Sequence, residues 1–463
     1  MFIGREKEIS ELNMFLEDKD VNAICVYGRR GIGKTTLLKN YLSDKRHIYF
    51  TAYQTTDIEE LHLFAIAAGI AKKPKSLEEV LDAVTKQVEA MTLDEDEQFF
   101  LCIDHYGDFV KADADYERIL QDYVNVYWSS KPIKVIFCED LYLNVDKYIT
   151  GKKSTWKKGK VSLLEVEPLN YVETKAFCGI ENSEEAAFIY GLTGGVPALI
   201  NKIKGLTGVD AVKTLYFDEA GENNRPENRI GLELRELSYY NRMLTALAAG
   251  NTRVNQISNL VGKPKDVVVP YFNTLMSIGV VQKQTPITEK TNRKKTRYSI
   301  VNSSDEFWYR FVATHMDLYY TDQRDKLVEH IENGKNDFMH DVFVKMCKEY
   351  LLQKSAKQEL PFTIDELGNW WVNDEDNGTS QDFDLVALGK QQGKSATIFG
   401  RCYYSDTPVD LRELKELIDL TKLLEHNGDR FYLVFSKAGF NETAKTAAAA
   451  IWNIMLISLD DIC

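Results

Sequence analysis

The sequence predicts an α/β protein, and three observations carry that prediction. Short apolar runs recur at AICVY (23–27), IYF (48–50), FFLCI (99–103) and IKVIF (133–137). Amphipathic stretches of helical length lie between them, near 57–69, 76–91 and 115–128. A glycine-rich turn follows the first run directly. Strands that alternate with helices form parallel sheets covered on both faces, because each parallel pair needs a crossover and the crossover helix packs on the sheet.

In chain order, Ile9, Leu12, Phe15 and Leu16 space one face of a helix over 5–18. After the four strand-like runs the pattern turns helical from 170 to 229. It is broken by GLTGGVP (191–197) and ends in the polar, turn-rich GENNRPENR, which predicts a boundary. Helices follow at 232–249, 254–261 and 267–278, separated by turns at Gly250-Asn251 and Gly262 to Pro264, and then come two strand-like runs at 279–282 and 297–301. Three helices and a β-hairpin in that order form a winged helix. A helical connector carrying FWYRFV (307–312) leads to a mixed α/β region over 337–463. The expected parts are a core at 1–168, a helical segment at 169–229, a winged helix at 230–303, a connector at 304–335 and a last domain at 336–463.

With 463 residues the chain exceeds what one hydrophobic core serves, which predicts about two to four domains. Its 44% hydrophobic and 27% charged composition is that of a soluble globular protein, and no run of about 18 apolar residues offers a membrane span. Arg5, Glu6, Lys7 and Glu8 stand where a signal peptide needs apolar residues, so a cytoplasmic protein with no membrane partner is expected. Seven scattered cysteines without a C-x-x-C pair predict buried reduced thiols. A net charge of −13 argues against a chain that coats nucleic acid wholesale, leaving only a local basic patch for such a contact.

The glycine-rich turn is GRRGIGKTT: Gly28, Arg29, Arg30, Gly31, Ile32, Gly33, Lys34, Thr35 and Thr36. It fits G-x-x-x-x-G-K-[ST] and lies between a strand and a helical pattern at 34–42, the context of a P-loop. Glycines let the backbone curl until its N–H groups point at a phosphate. Lys34 is expected to neutralise the β- and γ-phosphates, Thr35 to place a hydroxyl on Mg²⁺, and the helix N-terminus to add partial positive charge. Asp104, at the end of FFLCID, is the expected second holder of the magnesium. The expected ligands are ATP or ADP with Mg²⁺.

The whole pattern resembles the archaeal-type ATPase family of the STAND group of P-loop NTPases. FIGREKEI (2–9) is similar to that family's opening motif, YGRRGIGKTTLL to its P-loop, CIDHYGDF to its Walker B region and GGVP (194–197) to its lid motif. YNRMLTALAAGNTRVNQIS (240–258) resembles its winged-helix entry, FWYRFV its connector and DFDLVAL its nuclease-like C-terminal domain. The resemblance implies a P-loop NTPase sheet with a helical lid at 169–229, a winged helix, and a small restriction-endonuclease-like α/β domain. It also implies an extra strand between the P-loop and Walker B strands, expected at 48–52.

In that family a glutamate after the Walker B aspartate orients the attacking water, and His105 stands there instead. A neutral imidazole can accept a hydrogen bond from water near neutral pH, or His105 merely fills the position. Asp108 is a weaker stand-in. The family's small polar residue after the next strand is replaced by Glu139-Asp140, and extra acid there would repel a γ-phosphate. Lys157 or Lys158 lies where the family carries an arginine, and a solvated loop is the competing reading.

In the wing, Lys290, Arg293, Lys294, Lys295 and Arg297 occur without an acid, which suits DNA phosphate contacts; a solvated hairpin or a packing module is the alternative. VVVPYFNTLMSI offers few donors to base edges. In the last domain Asp384 keeps the nuclease strand aspartate, but Val344 replaces the helix glutamate, and Arg401 and Tyr403 replace the E and K of the E-x-K triplet. An arginine repels a metal ion, so a degenerate nuclease that serves as a scaffold for a protein partner or uncut nucleic acid is expected. The function expected overall is an ATP-binding regulatory switch with slow hydrolysis. The alternatives are a non-hydrolysing nucleotide-binding interaction protein and a DNA-binding protein without nuclease activity.

Overall fold

The computed structural model describes residues 2–462 apart from 153, 155, 157–159, 219, 220, 222, 223, 322, 375–378 and 425–427. The chain divides into two compact units, one of Met1–Pro168 with Gly231–Arg235, the other of Leu169–Ile230 with Glu236–Cys463.

The first unit is built on five parallel strands: β1 (Ala23–Tyr27), β2 (His47–Thr51), β3 (Phe99–Asp104), β4 (Ile133–Glu139) and β5 (Val161–Glu165). Their spatial order is β2-β3-β4-β1-β5. This corrects one expectation, because the strand between the P-loop strand β1 and the Asp104 strand β3 is β4, while β2 lies at the sheet edge. Burial explains the placement. Every residue of β3 and β4 is buried, whereas β2 exposes both of its ends and suits an edge. Helices α1 (Glu6–Glu17), α2 (Lys34–Tyr41), α3 (Asp57–Ala67), α4 (Leu77–Glu89), α5 (Tyr106–Ala112) and α6 (Tyr116–Asp122) supply the crossovers and the apolar cover. On one face Phe50, Phe64 and Phe109 join Val80, Val84 and Leu101 in a continuous core.

The second unit begins with helices Tyr171–Cys178, Ser183–Thr193 and Pro197–Lys202. Pro226–Glu233 is helical, so GENNRPENR does not end in a loop: Pro226 suits a first helical turn, where its missing N–H costs nothing. The helix expected over 232–249 is interrupted, since Glu236 takes a left-handed backbone and a separate helix runs Leu237–Ala248. Val254–Val261 and Lys265–Ser277 follow, then the antiparallel pair β6 (Val281–Gln284) and β7 (Arg297–Ile300).

One helix, Arg324–Ala356, passes through the boundary expected at 335/336. The helix runs on through Gly334, where the Phe311 ring fills the place that a Cβ would take. The last sheet is mixed, in the order β12-β11-β10-β9-β8. Its strands are β8 (Thr363–Asp374), β9 (Thr379–Gln391), β10 (Lys394–Tyr403), β11 (Asp429–Ser436) and β12 (Ile454–Ser458), with β8, β9 and β10 antiparallel and the remaining pairs parallel. The protein is thus α/β, with the five-stranded parallel sheet typical of P-loop NTPases and a second sheet domain.

Among the described residues no helix is long and apolar enough to cross a membrane. Six cysteines there are free thiols, all buried except the half-buried Cys178.

Candidate nucleotide site

β1 ends at Tyr27 and the chain turns at Gly28, whose φ of 150° is rarely open to a side-chain-bearing residue. A Cβ there would lie 2.6 Å from the carbonyl oxygen of Val166, so only glycine lets the loop leave the strand. Ile32 is fully buried and anchors the loop from beneath. Arg5, buried in the opening motif, donates to the Ile32 carbonyl (2.8 Å) and the Glu167 carbonyl (2.6 Å) and pairs with Glu8 (2.7 Å). The loop is therefore clamped at both ends. Arg30, Thr35 and Thr36 are exposed, while Arg29, Gly31 and Gly33 are half-buried.

Strand register brings the distant residues together. Tyr27 lies opposite Glu139, and Asp104 opposite Cys138, so the ends of β1, β4 and β3 open on one edge of the sheet. Lys34 Nζ curls back to the carbonyls of Gly28 (2.7 Å) and Arg29 (3.2 Å). The Thr35 hydroxyl donates to Asp104 Oδ2 at 3.0 Å, and the Tyr49 hydroxyl to the same oxygen at 2.6 Å. Burial alone would raise the Asp104 carboxyl; hydrogen bonds from Tyr49, Cys138 and Thr35, with the charge of His105, outweigh it and hold the group below its ordinary value. Asp104 is thus an anion at neutral pH. One hydroxyl and one carboxylate converging at 3.0 Å fit the protein's share of a magnesium shell, which leaves further positions to water and phosphate.

His105 has a left-handed backbone (φ 57°, ψ 50°), unusual for a residue with a side chain, and its N–H donates to Asp104 Oδ1 at 3.0 Å. Glu139 and Asp140, taken together in the sequence as acid near a γ-phosphate, part company. The Glu139 carboxylate is buried and accepts the N–H groups of Gly107 (2.6 Å), Asp140 (2.9 Å) and Leu141 (3.0 Å), stapling the turn after β4 to the start of α5. Asp140 alone faces the loop, with Oδ1 at 2.6 Å from Lys34 Nζ. Asp108 is engaged by Gln54 (3.0 Å) and Lys111 (3.3 Å) beside an open cleft. Lys157 and Lys158 lie outside the described residues.

The other expected sites are placed differently. In the hairpin, Lys290 pairs with Glu366, Lys295 with Glu289 (2.5 Å), and the Arg297 guanidinium lies 4.4 Å over the buried Trp371 ring. Lys294 is exposed, and the side chain of Arg293 lies outside the described residues. The hairpin is tied to β8 as well, since the Ile287 N–H donates to the Asn369 carbonyl at 2.9 Å. In the last sheet Asp384 Oδ2 accepts the N–H of Cys402 at 2.8 Å, and Oδ1 lies 3.7 Å from His340 Nε2. Arg401 and Tyr403 share one face of β10, and burial pushes the Tyr403 hydroxyl up to about 12.

Sequence reasoning missed Arg5, Tyr49 and the partner of Asp140, and near Asp384 it missed His340 and Lys348. The available signal was their spacing: 340, 344 and 348 recur every four residues on one helix face, with Val344 between. Among the described residues no three His, Cys, Asp or Glu side chains are arranged to hold a metal.

Fold and site together define a P-loop ATPase domain. A family model described as an ATPase domain predominantly from Archaea matches residues 2–203. A second, described as archaea bacterial proteins of unknown function, matches residues 308–416. The chain thus carries an archaeal-type ATPase domain over residues 2–203 and that domain of unknown function over residues 308–416. An uncharacterized protein of Methanocaldococcus jannaschii is 25% identical over 395 residues, which span 85% of this chain and 86% of that one. An uncharacterized ATP-binding protein of the same organism is 34% identical over 101 residues, only 20% of this chain and 27% of the relative. A Walker-type ATPase of Pyrococcus abyssi shares the fold at 17% identity and a TM-score of 0.50, over 67% of this chain and 96% of that one.

Proposed function

We propose that this protein binds ATP with Mg²⁺ at Gly28–Thr36 and acts as a nucleotide-dependent regulatory switch whose hydrolysis is slow. The observation that carries the reading is the convergence of Thr35 Oγ1 and Asp104 Oδ2 at 3.0 Å beside Lys34, on the edge where β1, β3 and β4 end. The loop amides and the N-terminus of α2 receive the phosphates, and Lys34 neutralises them. Thr35 and Asp104 hold the magnesium, which supplies charge stabilisation on the phosphate oxygens.

Slow turnover follows from His105. An imidazole in the glutamate's place orients water only as a neutral base, and its side chain is 39% exposed. Phosphate release from ATP tests the reading: it should be measurable above background in the wild type and vanish in Lys34→Ala. Release that is the same in both would refute it.

A second reading, a nucleotide-binding interaction protein that does not hydrolyse, is favoured by the Lys34–Asp140 contact. Phosphate release no higher than in Lys34→Ala, with turnover gained in His105→Glu, would support this second reading over the first. The hairpin is proposed to be the wing of a winged helix that serves as a packing module, because Lys290, Lys295 and Arg297 are engaged within the chain. The last sheet is proposed to be a degenerate nuclease domain that scaffolds a partner, with Asp384 turned to a backbone amide.

A further inference from the structure

Asp140 is neither part of the loop nor a holder of the magnesium, yet it is held firmly in place. The register that sets Tyr27 opposite Glu139 puts the next residue, Asp140, beside the first residue of the loop. Glu139 fixes the turn by accepting three backbone N–H groups, those of Gly107, Asp140 and Leu141. From there Asp140 Oδ1 lies 2.6 Å from Lys34 Nζ, with the two side chains 20% and 3% exposed, and its Oδ2 lies 3.7 Å from His105 Nδ1. Lys34 has three ammonium protons. The carbonyls of Gly28 and Arg29 and the carboxylate of Asp140 are three acceptors for them.

A phosphate that reaches Lys34 must therefore displace one of its partners. The two phosphates of a diphosphate lie within the cradle of loop amides and the positive end of α2, where backbone dipoles compensate their charge. Lys34 reaches both the β- and the γ-phosphate, but the γ-phosphate extends beyond that cradle and has only the lysine and the metal to compensate its charge. An anion already paired with the lysine competes with that third phosphate and repels it.

We infer that Asp140 sets the specificity of this site for nucleoside diphosphate over triphosphate, by occupying the place at Lys34 that a γ-phosphate would take. The inference rests on the nucleotide reading proposed above and deepens it. Triphosphate binds only when Asp140 gives up the lysine.

Calorimetric titration of the full chain with ADP and with ATP, each with Mg²⁺ at one ionic strength, tests this. The wild type should bind ADP more tightly than ATP by about tenfold or more, the size of a one-unit like-charge interaction. Asp140→Asn should raise ATP affinity by about tenfold and leave ADP within about threefold. Asp140→Ser, which keeps a polar group without charge, should give the same selective gain and guard against a packing artefact of the amide. An unchanged ADP-to-ATP ratio in both variants overturns the inference while leaving the nucleotide site standing. Failure of wild type and variants to bind either nucleotide overturns both.

Discussion

Two aspartates, Asp104 and Asp384, look alike in the sequence: each closes or interrupts an apolar strand run and each invites a metal-binding role. Their surroundings differ in kind. Asp104 accepts the His105 N–H through Oδ1, but its Oδ2 accepts side-chain hydroxyls from Thr35 and Tyr49, groups on flexible torsions that can turn toward a ligand. Asp384 accepts the backbone N–H of Cys402, two residues past Gly400, where the β9–β10 ladder ends. Its carboxylate therefore does the work of a strand carbonyl where the pairing stops. A carboxylate whose partners are exchangeable can bind; one that satisfies a buried amide is already part of the fold.

The sharpest test of that contrast is a paired substitution. Asp104→Ala should weaken magnesium-dependent nucleotide binding by roughly 10- to 100-fold, the usual scale for losing a group that holds a metal site together. Asp384→Ala should leave it within about twofold. Titration of both variants with and without Mg²⁺ would check this, and equal losses would break the comparison.

What the sequence could disclose follows the same division. The P-loop was legible because its chemistry is packed into nine consecutive residues, and Asp104 because it ends an apolar strand. The role of Asp140 was not, since its partner Lys34 lies more than a hundred positions earlier and meets it only because β4 adds beside β1. That order turned on burial along whole strands, which a short apolar run does not reveal. Lys290 and Arg297 looked like parts of a free basic patch because their partners, Glu366 and Trp371, belong to β8.

The second prediction reverses the first. Asp384→Ala removes the acceptor for an N–H on a residue that is 3% exposed, and an orphaned buried donor costs about 1–3 kcal/mol. Urea unfolding followed through the second unit should show that loss. Asp384→Asn keeps an acceptor oxygen and should recover most of it. If Asp384→Ala is neutral, the carboxylate is not the ladder's last acceptor and a ligand role returns to consideration.

The smallest expected effect concerns pH. The Asp384 carboxylate, 3.7 Å from Nε2, raises the His340 imidazole above its ordinary value, against the lowering effect of burial, with Asp341 and Asp382 adding to the rise. A group that binds its proton more tightly when folded stabilises the protein fully below its unfolded value, and that contribution is lost as pH rises through the folded value. The window therefore opens near pH ~6.5 and extends upward from there. The His340 side chain is 39% exposed, so solvent screening keeps the contribution under about 1 kcal/mol. His340→Gln should flatten the fall in stability across that window, lowering stability below it and changing little above it. A slope that survives in His340→Gln but disappears in Asp384→Asn would assign the proton to another neighbour of Asp384, with Asp382 the first candidate: burial and the charge of Asp384 raise its carboxyl as well.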